Sequence, residues 1–259
     1  MSELTLLGDA SALQAGELAL LVLTGLLAGI VNAAVGSGAL ITYPVLLAIG
    51  LPPVNANGTN SFGMSFGNVS ATFMFRDKLR GRRAQLVPWV VATGVGALLG
   101  ALLLVALPSQ VFAAVVPWLI LAAVVVFIVQ PWLERRIERR PTTRSVTAIV
   151  GLIGVYGGYF GAGQGIAYLA ALGSMDGDDL QRSVGVKNLL AAVANSTAAV
   201  VFLLTGLVVI VPALIVGTSA LVGGLAGGRL AKKLPRWLLR VVIIVVGLYA
   251  AAASFLVTR

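Results

Sequence analysis

Apolar residues in this chain occur in long runs that are separated by short polar or glycine-rich breaks. Three of these runs cover residues 18–35, 84–107 and 111–129, and each is close to the ~20 residues that an α-helix needs to cross about 30 Å of hydrocarbon. The runs lack the alternation of a membrane β-barrel strand, and helices are the remaining way to satisfy backbone polar groups in lipid. The pattern therefore predicts an all-α, polytopic membrane protein.

The breaks between runs predict ten helical segments, five in each half of the chain. These segments cover residues 18–35, 39–50, 56–75, 84–107, 111–133, 145–160, 164–173, 183–205, 208–228 and 236–257. The second segment of each half is too short to cross a bilayer at about 1.5 Å per residue. Each half is therefore predicted to contain a short or broken element beside longer helices.

The two halves are similar to each other at an offset of about 125 residues. Matched positions include Gly29 with Gly154, Gly36 with Gly161, Gly38 with Gly163, Tyr43 with Tyr168, Ser61 with Asn188, Asn68 with Asn195 and Gly100 with Gly224. A single glycine match means little in a glycine-rich chain, but the constant order of the matches predicts a duplication. We expect an N-terminal repeat at residues 1–140 and a C-terminal repeat at 141–259, which together form one membrane unit.

Composition agrees with a membrane protein, because 59% of the 259 residues are hydrophobic and 10% are charged, with a mean hydropathy of +1.01. Basic residues lie in three clusters between apolar runs. The clusters are Arg76, Lys78, Arg80, Arg82 and Arg83; Arg135, Arg136, Arg139, Arg140 and Arg144; and Arg229, Lys232, Lys233 and Arg236. Membrane proteins concentrate such residues in cytoplasmic loops, so the net charge of +9 does not indicate a nucleic-acid partner.

The basic clusters also predict the orientation of the repeats. If each first segment and its short neighbour formed one broken span, the clusters at 76–83 and 229–236 would face opposite sides of the membrane, against the positive-inside expectation. If each pair forms a re-entrant hairpin, all three clusters are cytoplasmic and the N-terminus is outside. Each repeat then has a re-entrant or broken helix pair and three net crossings, and the second repeat is inverted. We expect the first helix to be retained, because residues 1–17 contain no Lys or Arg.

The chain has no cysteine and no histidine, which removes thiol nucleophiles, the commonest general base and Cys/His metal sites. No Asp or Glu lies deep in an apolar run, since Asp77 belongs to a basic loop and Asp176, Asp178 and Asp179 to a polar loop. A carboxylate proton relay is therefore unsupported. We expect no enzyme activity, no catalytic residues, no metal and no cofactor.

The glycine breaks are the first candidate substrate site. Their residues are Gly36, Ser37, Gly38 and Ala39 in the first half, and Gly161, Gly163, Gln164 and Gly165 in the second. Glycine lets one helix stop and another begin, and the new helix presents unpaired N–H groups and the positive end of its dipole. Two such ends could hold an anion, as in transporters with inverted repeats. The alternative is that these glycines only allow close helix packing.

Polar residues inside otherwise apolar helices form the second candidate set. Asn60 and Ser61 lie in a polar stretch of the first half, and Lys187 and Asn188 lie in its counterpart. Polar groups at membrane depth must face protein or a water-filled cavity, where they can contact a substrate. Two alternatives are interhelical hydrogen bonds for the deeper amides and hydroxyls, and a Lys187 side chain that extends to the interface.

The sequence resembles the TauE/SafE family of sulfite exporters. The resemblance lies in Gly29, Asn32, Gly36 and Gly38, in Pro44, in residues 58–61, and in a weaker second copy at 154–165 and 185–188. It implies a duplicated cytoplasmic-membrane transporter for sulfite, sulfonates or other small organic anions, and it adds Asn32 to the candidate substrate-binding residues. Family members differ in substrate, so the identity of the anion stays open.

Together these observations predict an alternating-access exporter of a small sulfur-containing or organic anion. Its partners would be the anion and the lipid bilayer, with a coupling ion and a homo-oligomer left open. An anion channel of the same architecture is the first alternative, and a membrane scaffold or enzyme without transport is the second.

Overall fold

The computed structural model describes residues 14–34, 36, 38–136, 142–173, 180–230, 244–245 and 248, and within these ranges the secondary structure is helical, without a strand. The first half contributes α1 (Ala15–Ala34), α2 (Ala39–Ala48), α3 (Pro53–Met74), α4 (Arg76–Leu79), α5 (Arg83–Ala106) and α6 (Ser109–Arg136). The second contributes α7 (Thr143–Tyr159), α8 (Gln164–Gly173), α9 (Leu180–Leu204) and α10 (Ile210–Leu230). The predicted all-α fold is confirmed.

Most predicted segments match a helix to within a few residues at each end. The sequence did not predict α4, a single turn inside the first basic cluster. Several predicted features lie outside the described residues or largely so: the N-terminal residues before 14, the polar loop at 174–179 with its three aspartates, and the last segment at 236–257. Of the basic clusters, Arg139, Arg140, Lys232, Lys233 and Arg236 also lie outside them.

Four helices within the described ranges are long and apolar enough to cross a membrane. They are α1, α5, the part of α9 from Gln181 to Leu204 and the part of α10 from Ile210 to Gly227. Large apolar side chains such as Leu23, Val91, Leu99 and Leu204 are exposed on these helices. Such surfaces suit contact with lipid, so the described part of the chain has the helices of a multi-pass membrane protein.

In each half the first helix packs on a helix of the other half, an arrangement that we call exchanged packing. Helix α1 packs extensively on α10, and α7, its counterpart in the second half, packs equally extensively on α5. Helices α3 and α9, which also correspond, pack on each other. Both halves contribute to one apolar core, in which Tyr43 contacts Phe160 edge to face with ring centroids 5.2 Å apart. The two halves of the described chain therefore pack as one unit.

Small residues make the exchanged contacts possible. A Cβ atom added to Gly29 would lie 2.9 Å from the backbone nitrogen of Gly224, and one added to Gly100 would lie 2.8 Å from that of Tyr159. Real Cβ atoms do not approach backbone so closely, so these helices touch through their main chains. Close approach through small residues is a usual way to associate helices in lipid, where apolar burial supplies little driving force.

Substitution of Gly100 by alanine should destabilise the protein by about 1–3 kcal/mol, because the added methyl group has no space and α5 must move away from α7. Gly94 lies on the same helix, and a Cβ there would meet only a side-chain methyl of Val193 at 3.5 Å. Gly94→Ala should therefore leave stability unchanged or raise it by up to about 1 kcal/mol, the helix-propensity gain. Thermal unfolding of both variants in detergent tests this, and equal shifts in Tm would contradict it.

Candidate functional site

Both glycine breaks interrupt a helix as predicted. Gly36 has a φ of +87°, and Gly161 and Gly163 have φ values of +75° and +78°, a left-handed conformation that favours glycine. Gly38 instead has a right-handed φ of −56° at the start of α2. Its Cβ would lie 2.8 Å from the Asn32 Cβ, so this glycine is required for close packing. The glycines therefore allow a helix break at Gly36, Gly161 and Gly163 and close packing at Gly38.

The two breaks contact each other near the start of α8. A Cβ on Gly36 would lie 2.6 Å from the Cα of Gly165, and one on Gly165 would lie 2.5 Å from the Cα of Gly36. The first N–H groups of α2 and α8, which begin at Ala39 and Gln164, have no partner within their own helices. The structure therefore brings the two predicted halves of the glycine site together, in direct backbone contact.

Lys187 lies about two turns into α9 and is completely buried. Its Nζ donates to the carbonyl oxygen of Asn32 at 2.6 Å and to that of Ala33 at 3.4 Å, and its aliphatic stem passes Gly36, whose Cβ would lie 2.9 Å from the Lys187 Cδ. The side chain does not extend to the surface. It therefore links α9 of the second repeat to the end of α1 in the first.

The position of the ammonium group explains how a charge is tolerated there. Helix α1 ends at Ala34, so Asn32 and Ala33 present carbonyl groups that have no partner within the helix. These carbonyls also form the negative end of the helix dipole, where a cation is stabilised. The Lys187 ammonium donates hydrogen bonds to the carbonyls that the end of α1 leaves unpaired, and these carbonyls provide the oxygen atoms that the buried ammonium needs.

Asparagine side chains complete this group, which we call the lysine cluster: Asn32, Ala33, Gly36, Lys187 and Asn188. Asn188 Nδ2 donates to the Ala33 carbonyl at 3.2 Å, while its Oδ1 is buried without a partner in the described part of the chain. Asn32 Nδ2 donates to Asn68 Oδ1 at 2.5 Å, and Asn32 Oδ1 accepts from the Gly38 backbone at 3.4 Å. The amides therefore connect α1, α3 and the first break.

A second group of polar atoms lies at the end of α7, and we call Gly157, Gly161, Gln164 and Asn195 the amide cluster. Gln164 Nε2 donates to Asn195 Oδ1 at 2.8 Å, and Gln164 is only 3% exposed. Its Oε1 contacts the position that a Gly157 side chain would occupy. Asn195 corresponds to Asn68 and Gly157 to Asn32, so both repeats contain an amide pair, although the first partner comes from a different position in each.

Asn60 is connected to the first break through a hydroxyl group. Thr42 Oγ1 donates to Asn60 Oδ1 and is also 3.4 Å from the Gly38 carbonyl oxygen. Ser61 is 2% exposed, with no side-chain hydrogen bond to the described residues. The amide nitrogen of Asn60 and the hydroxyl of Ser61 therefore remain available as donors on α3.

The predicted residues divide between these groups. Asn32, Gly36, Gly38, Lys187 and Asn188 come together, and Gly165 joins them through Gly36, whereas Gly161 and Gln164 belong to the amide cluster. Ala39 is buried at the start of α2 and Gly163 packs on Ala123, while Ser37 lies outside the described residues.

Sequence reasoning left out Thr42, Asn57, Asn195 and Gly157 as site residues. Asn57, whose Nδ2 donates to the Tyr159 carbonyl at 3.0 Å, and Asn195 lie in the polar helices and could have been found by that signal. Nothing in the sequence distinguishes Gly157 from the many glycines that serve helix packing.

The interior has a positive charge without a nearby acidic partner. The buried polar residues of the described ranges include Lys187 but no Asp or Glu, and the described ion pair between Arg80 and Asp77 is exposed. Those ranges also contain no group of three or more His, Cys, Asp or Glu residues. The site therefore provides one cation, amide groups and helix ends, which are chemically suited to hold an anion.

Comparison with known proteins identifies the family of the chain. The sequence model described as "Sulfite exporter TauE/SafE" matches residues 21–254. The chain is similar to probable membrane transporter protein ORF9 of Sinorhizobium sp., with 28% identity over 237 residues that cover 90% of each chain. It is also similar to probable membrane transporter protein YfcA of Escherichia coli strain K12, with 29% identity over 238 residues, 91% of this chain and 88% of the relative.

A probable membrane transporter protein of Haemophilus influenzae is 28% identical over 240 residues, which cover 91% of this chain and 93% of the relative. No solved structure gives a significant match. These relatives match nearly their whole length and are named as membrane transporters, so they indicate a multi-pass membrane transporter. The resemblance seen in the glycine and amide motifs is confirmed, and the chain belongs to the TauE/SafE sulfite exporter family.

Proposed function

We propose that the protein is a secondary transporter that exports a small sulfur-containing or organic anion, such as sulfite or a sulfonate, across the cell (inner) membrane. The observation that carries this proposal is Lys187, a completely buried ammonium group among described residues whose interior contains no carboxylate. A buried charge without an opposite charge is costly. A small anion would supply the missing negative charge.

The available donors favour an oxyanion of limited size. Two hydrogens of the Lys187 ammonium are directed to the carbonyls of Asn32 and Ala33, and the third can donate to a ligand. Asn60, Ser61 and the starts of α2 and α8 add neutral donors. Charge-assisted and neutral N–H donors together suit sulfite or sulfonate oxygens, whereas an apolar solute would leave the donors unsatisfied.

The contact between Gly36 and Gly165 supports a carrier mechanism. The two breaks meet there without space for even a Cβ atom, so an anion could pass between them only if the two turns separate. A carrier requires such a closure on each side of its site in turn. A channel would require an open path in at least one state, and this contact does not favour it.

The proposed topology has re-entrant hairpins at α1–α2 and α7–α8, inverted repeats, an external N-terminus and cytoplasmic basic loops. Helix α2, with ten residues, is about 15 Å long at 1.5 Å per residue, half of the hydrocarbon thickness. The exchanged packing of α1 on α10 and of α7 on α5 is what two related, interlocked repeats would produce. Arg76, Arg80 and Arg83 would then lie on the cytoplasmic side.

Single cysteines can test the hairpin, because the chain has no native cysteine. We expect Gln14→Cys to react with a membrane-impermeant maleimide in intact cells, and Arg80→Cys to react only after permeabilisation. If α1 and α2 instead form one crossing, α3 adds a second, and both positions will be labelled from the same side. Gln110→Cys should be labelled together with Gln14→Cys, since α5 returns the chain to the outside.

Transport in proteoliposomes tests the function itself. Flux of sulfite, sulfate, thiosulfate, taurine, sulfoacetate and simple carboxylates should be saturable for at least one small anion and should proceed uphill when a counter-gradient is imposed. Flux that does not saturate and only follows the gradient would identify a channel. No flux of any of these solutes into liposomes containing folded protein would overturn the proposal.

Substitution of Lys187 should weaken anion binding strongly. We expect Lys187→Met to lower the affinity for the transported anion by roughly ten- to a hundredfold, because a hydrogen bond to a charged group contributes about 1.5–3 kcal/mol. Lys78→Ala, which removes a lysine from the basic loop, should change affinity less than twofold. Binding can be measured by isothermal calorimetry on purified protein.

The two roles of Lys187 can be separated. If the lysine only satisfies the end of α1, Lys187→Met will lower the Tm but leave the affinity of the folded fraction unchanged. Equal effects of Lys187→Met and Lys78→Ala on affinity, at equal expression, would remove Lys187 from the substrate site.

A further inference from the structure

The residues at the ends of α1 and α7, the first helices of the two halves, differ in type. At an offset of 125 residues, Asn32 and Ala33 correspond to Gly157 and Gly158, so the carbonyls that hold the Lys187 ammonium have counterparts at the end of α7. The offset of 127 that pairs Ser61 with Asn188 also pairs Asn60 with Lys187. The residue that corresponds to Lys187 is therefore a neutral amide, whereas Lys187 itself donates to the end of α1.

Asn60 does not replace the lysine at that position. Its Oδ1 accepts a hydrogen bond from Thr42, which belongs to α2 of its own repeat. The negative end of the α7 dipole is consequently left without a cationic side chain among the residues described, although a cation is the favoured partner of a helix C-terminus. The correspondence between the two halves marks the Gly157 carbonyl as a cation position that no cationic side chain of the described residues fills.

Buried oxygen atoms converge on the same point. A Cβ on Gly161 would lie 2.9 Å from the Gly157 carbonyl oxygen and 3.5 Å from Asn195 Oδ1, so both oxygens face the space that the missing side chain leaves. Gln164 Oε1 is buried without a hydrogen-bond partner in the described ranges and lies against Gly157, next to this space. A buried acceptor without a partner is costly, and a bound cation would satisfy it.

We propose that the end of α7 binds a monovalent alkali cation through the Gly157 carbonyl, Asn195 Oδ1 and Gln164 Oε1. Gln164 Nε2 lies 3.6 Å from the same Gly161 Cβ position, and a half-turn of the amide exchanges its nitrogen and oxygen. Cation binding therefore replaces the hydrogen bond between Gln164 and Asn195 by two metal–oxygen contacts. Gly161 is required because a side chain would fill the space.

The oxygen donors decide the class of ion. They are neutral carbonyl and amide groups, whereas Ca²⁺ and Mg²⁺ sites use carboxylates, and the described residues offer no buried carboxylate. Amides do not take up protons near neutral pH, so a proton would find no titratable group there. Unwound backbone and helix C-terminal ends coordinate Na⁺ in transporters with inverted repeats, and the same chemistry is present here.

The role of this ion rests on the proposed function. The lysine cluster would hold the anion beside α1, and an alkali ion beside α7 would couple its movement to a cation gradient. Binding of the cation itself does not depend on an anion and can be measured without one.

Equilibrium binding of ²²Na⁺ and ⁸⁶Rb⁺ to the purified full-length chain tests the site. We expect saturable binding of at least one of these ions, displaced by its unlabelled alkali ion but not by choline at equal ionic strength. Gln164→Leu should weaken binding about tenfold or more, because an oxygen ligand is lost. Gln164→Glu should strengthen it about tenfold, because ligand charge raises cation affinity.

The opposite effects of these two variants separate a ligand from a structural residue. If Gln164 only packs against Gly157, both variants will lower the Tm and neither will tighten binding. Gln85→Leu, the same chemical change at the start of α5, should leave binding unchanged. Where Gln164→Leu fails to fold, Gln164→Glu alone decides the result.

Three results would overturn the site: no saturable binding of either ion, displacement by Mg²⁺ as strong as by the alkali ion, or equal loss in both Gln164 variants. None of them bears on anion transport, which the proteoliposome assay measures separately. Saturable cation binding by a protein that moves no anion would overturn the proposed function and leave the cation site standing.

Discussion

The hydrogen bonds between the Lys187 ammonium and the last carbonyls of α1 determine the geometry of the lysine cluster. A lysine buried without a carboxylate needs oxygen atoms that are not already used, and the end of a helix supplies them. Helix α1 must therefore stop inside the protein, and a turn with positive φ at Gly36 allows α2 to begin beside it. Because the lysine stem passes the Gly36 Cα, no larger residue fits at this turn.

This constraint combines with the exchanged packing to limit which parts can move. Main-chain contacts join α1 to α10 at Gly29 and α5 to α7 at Gly100, so each tightly joined pair contains one helix from each half. Two halves that rocked as separate bodies would have to break both contacts. Movement that keeps these pairs intact must instead act at the breaks, where Gly36 meets Gly165, and between α3 and α9. The units that alternate in transport would then be mixed pairs of helices.

The sequence predicts the helices well and the site only in part. Residues 164–173 were predicted and form α8 without error, because glycine and polar residues mark its ends, whereas α3 begins three residues before its predicted start, at Pro53, where proline suits the first turn. Lys187 was found because a charge in an apolar run is conspicuous. Its partners were not found, because they are backbone carbonyls, which no particular residue type marks in a sequence. The contact between Gly157 and Gln164 was also missed, because it exists only after α7 and α8 have packed.

The two amide pairs show which feature the corresponding positions of the two halves have in common. Asn32 donates to Asn68 from within α1, while in the second repeat the donor has moved to Gln164 at the start of α8, and glycine at 157 makes room for it. If Asn32 only filled space, its counterpart in the second half would not need to donate a hydrogen bond. Gln164, a longer amide from another helix, nevertheless donates to Asn195, the asparagine that corresponds to Asn68. The element common to both repeats is therefore the amide hydrogen bond beside the helix break. Among the described residues the buried basic side chain is that of Lys187, so the two halves have similar amide hydrogen bonds but differ in electrostatics, and an anion would be bound on the Lys187 side.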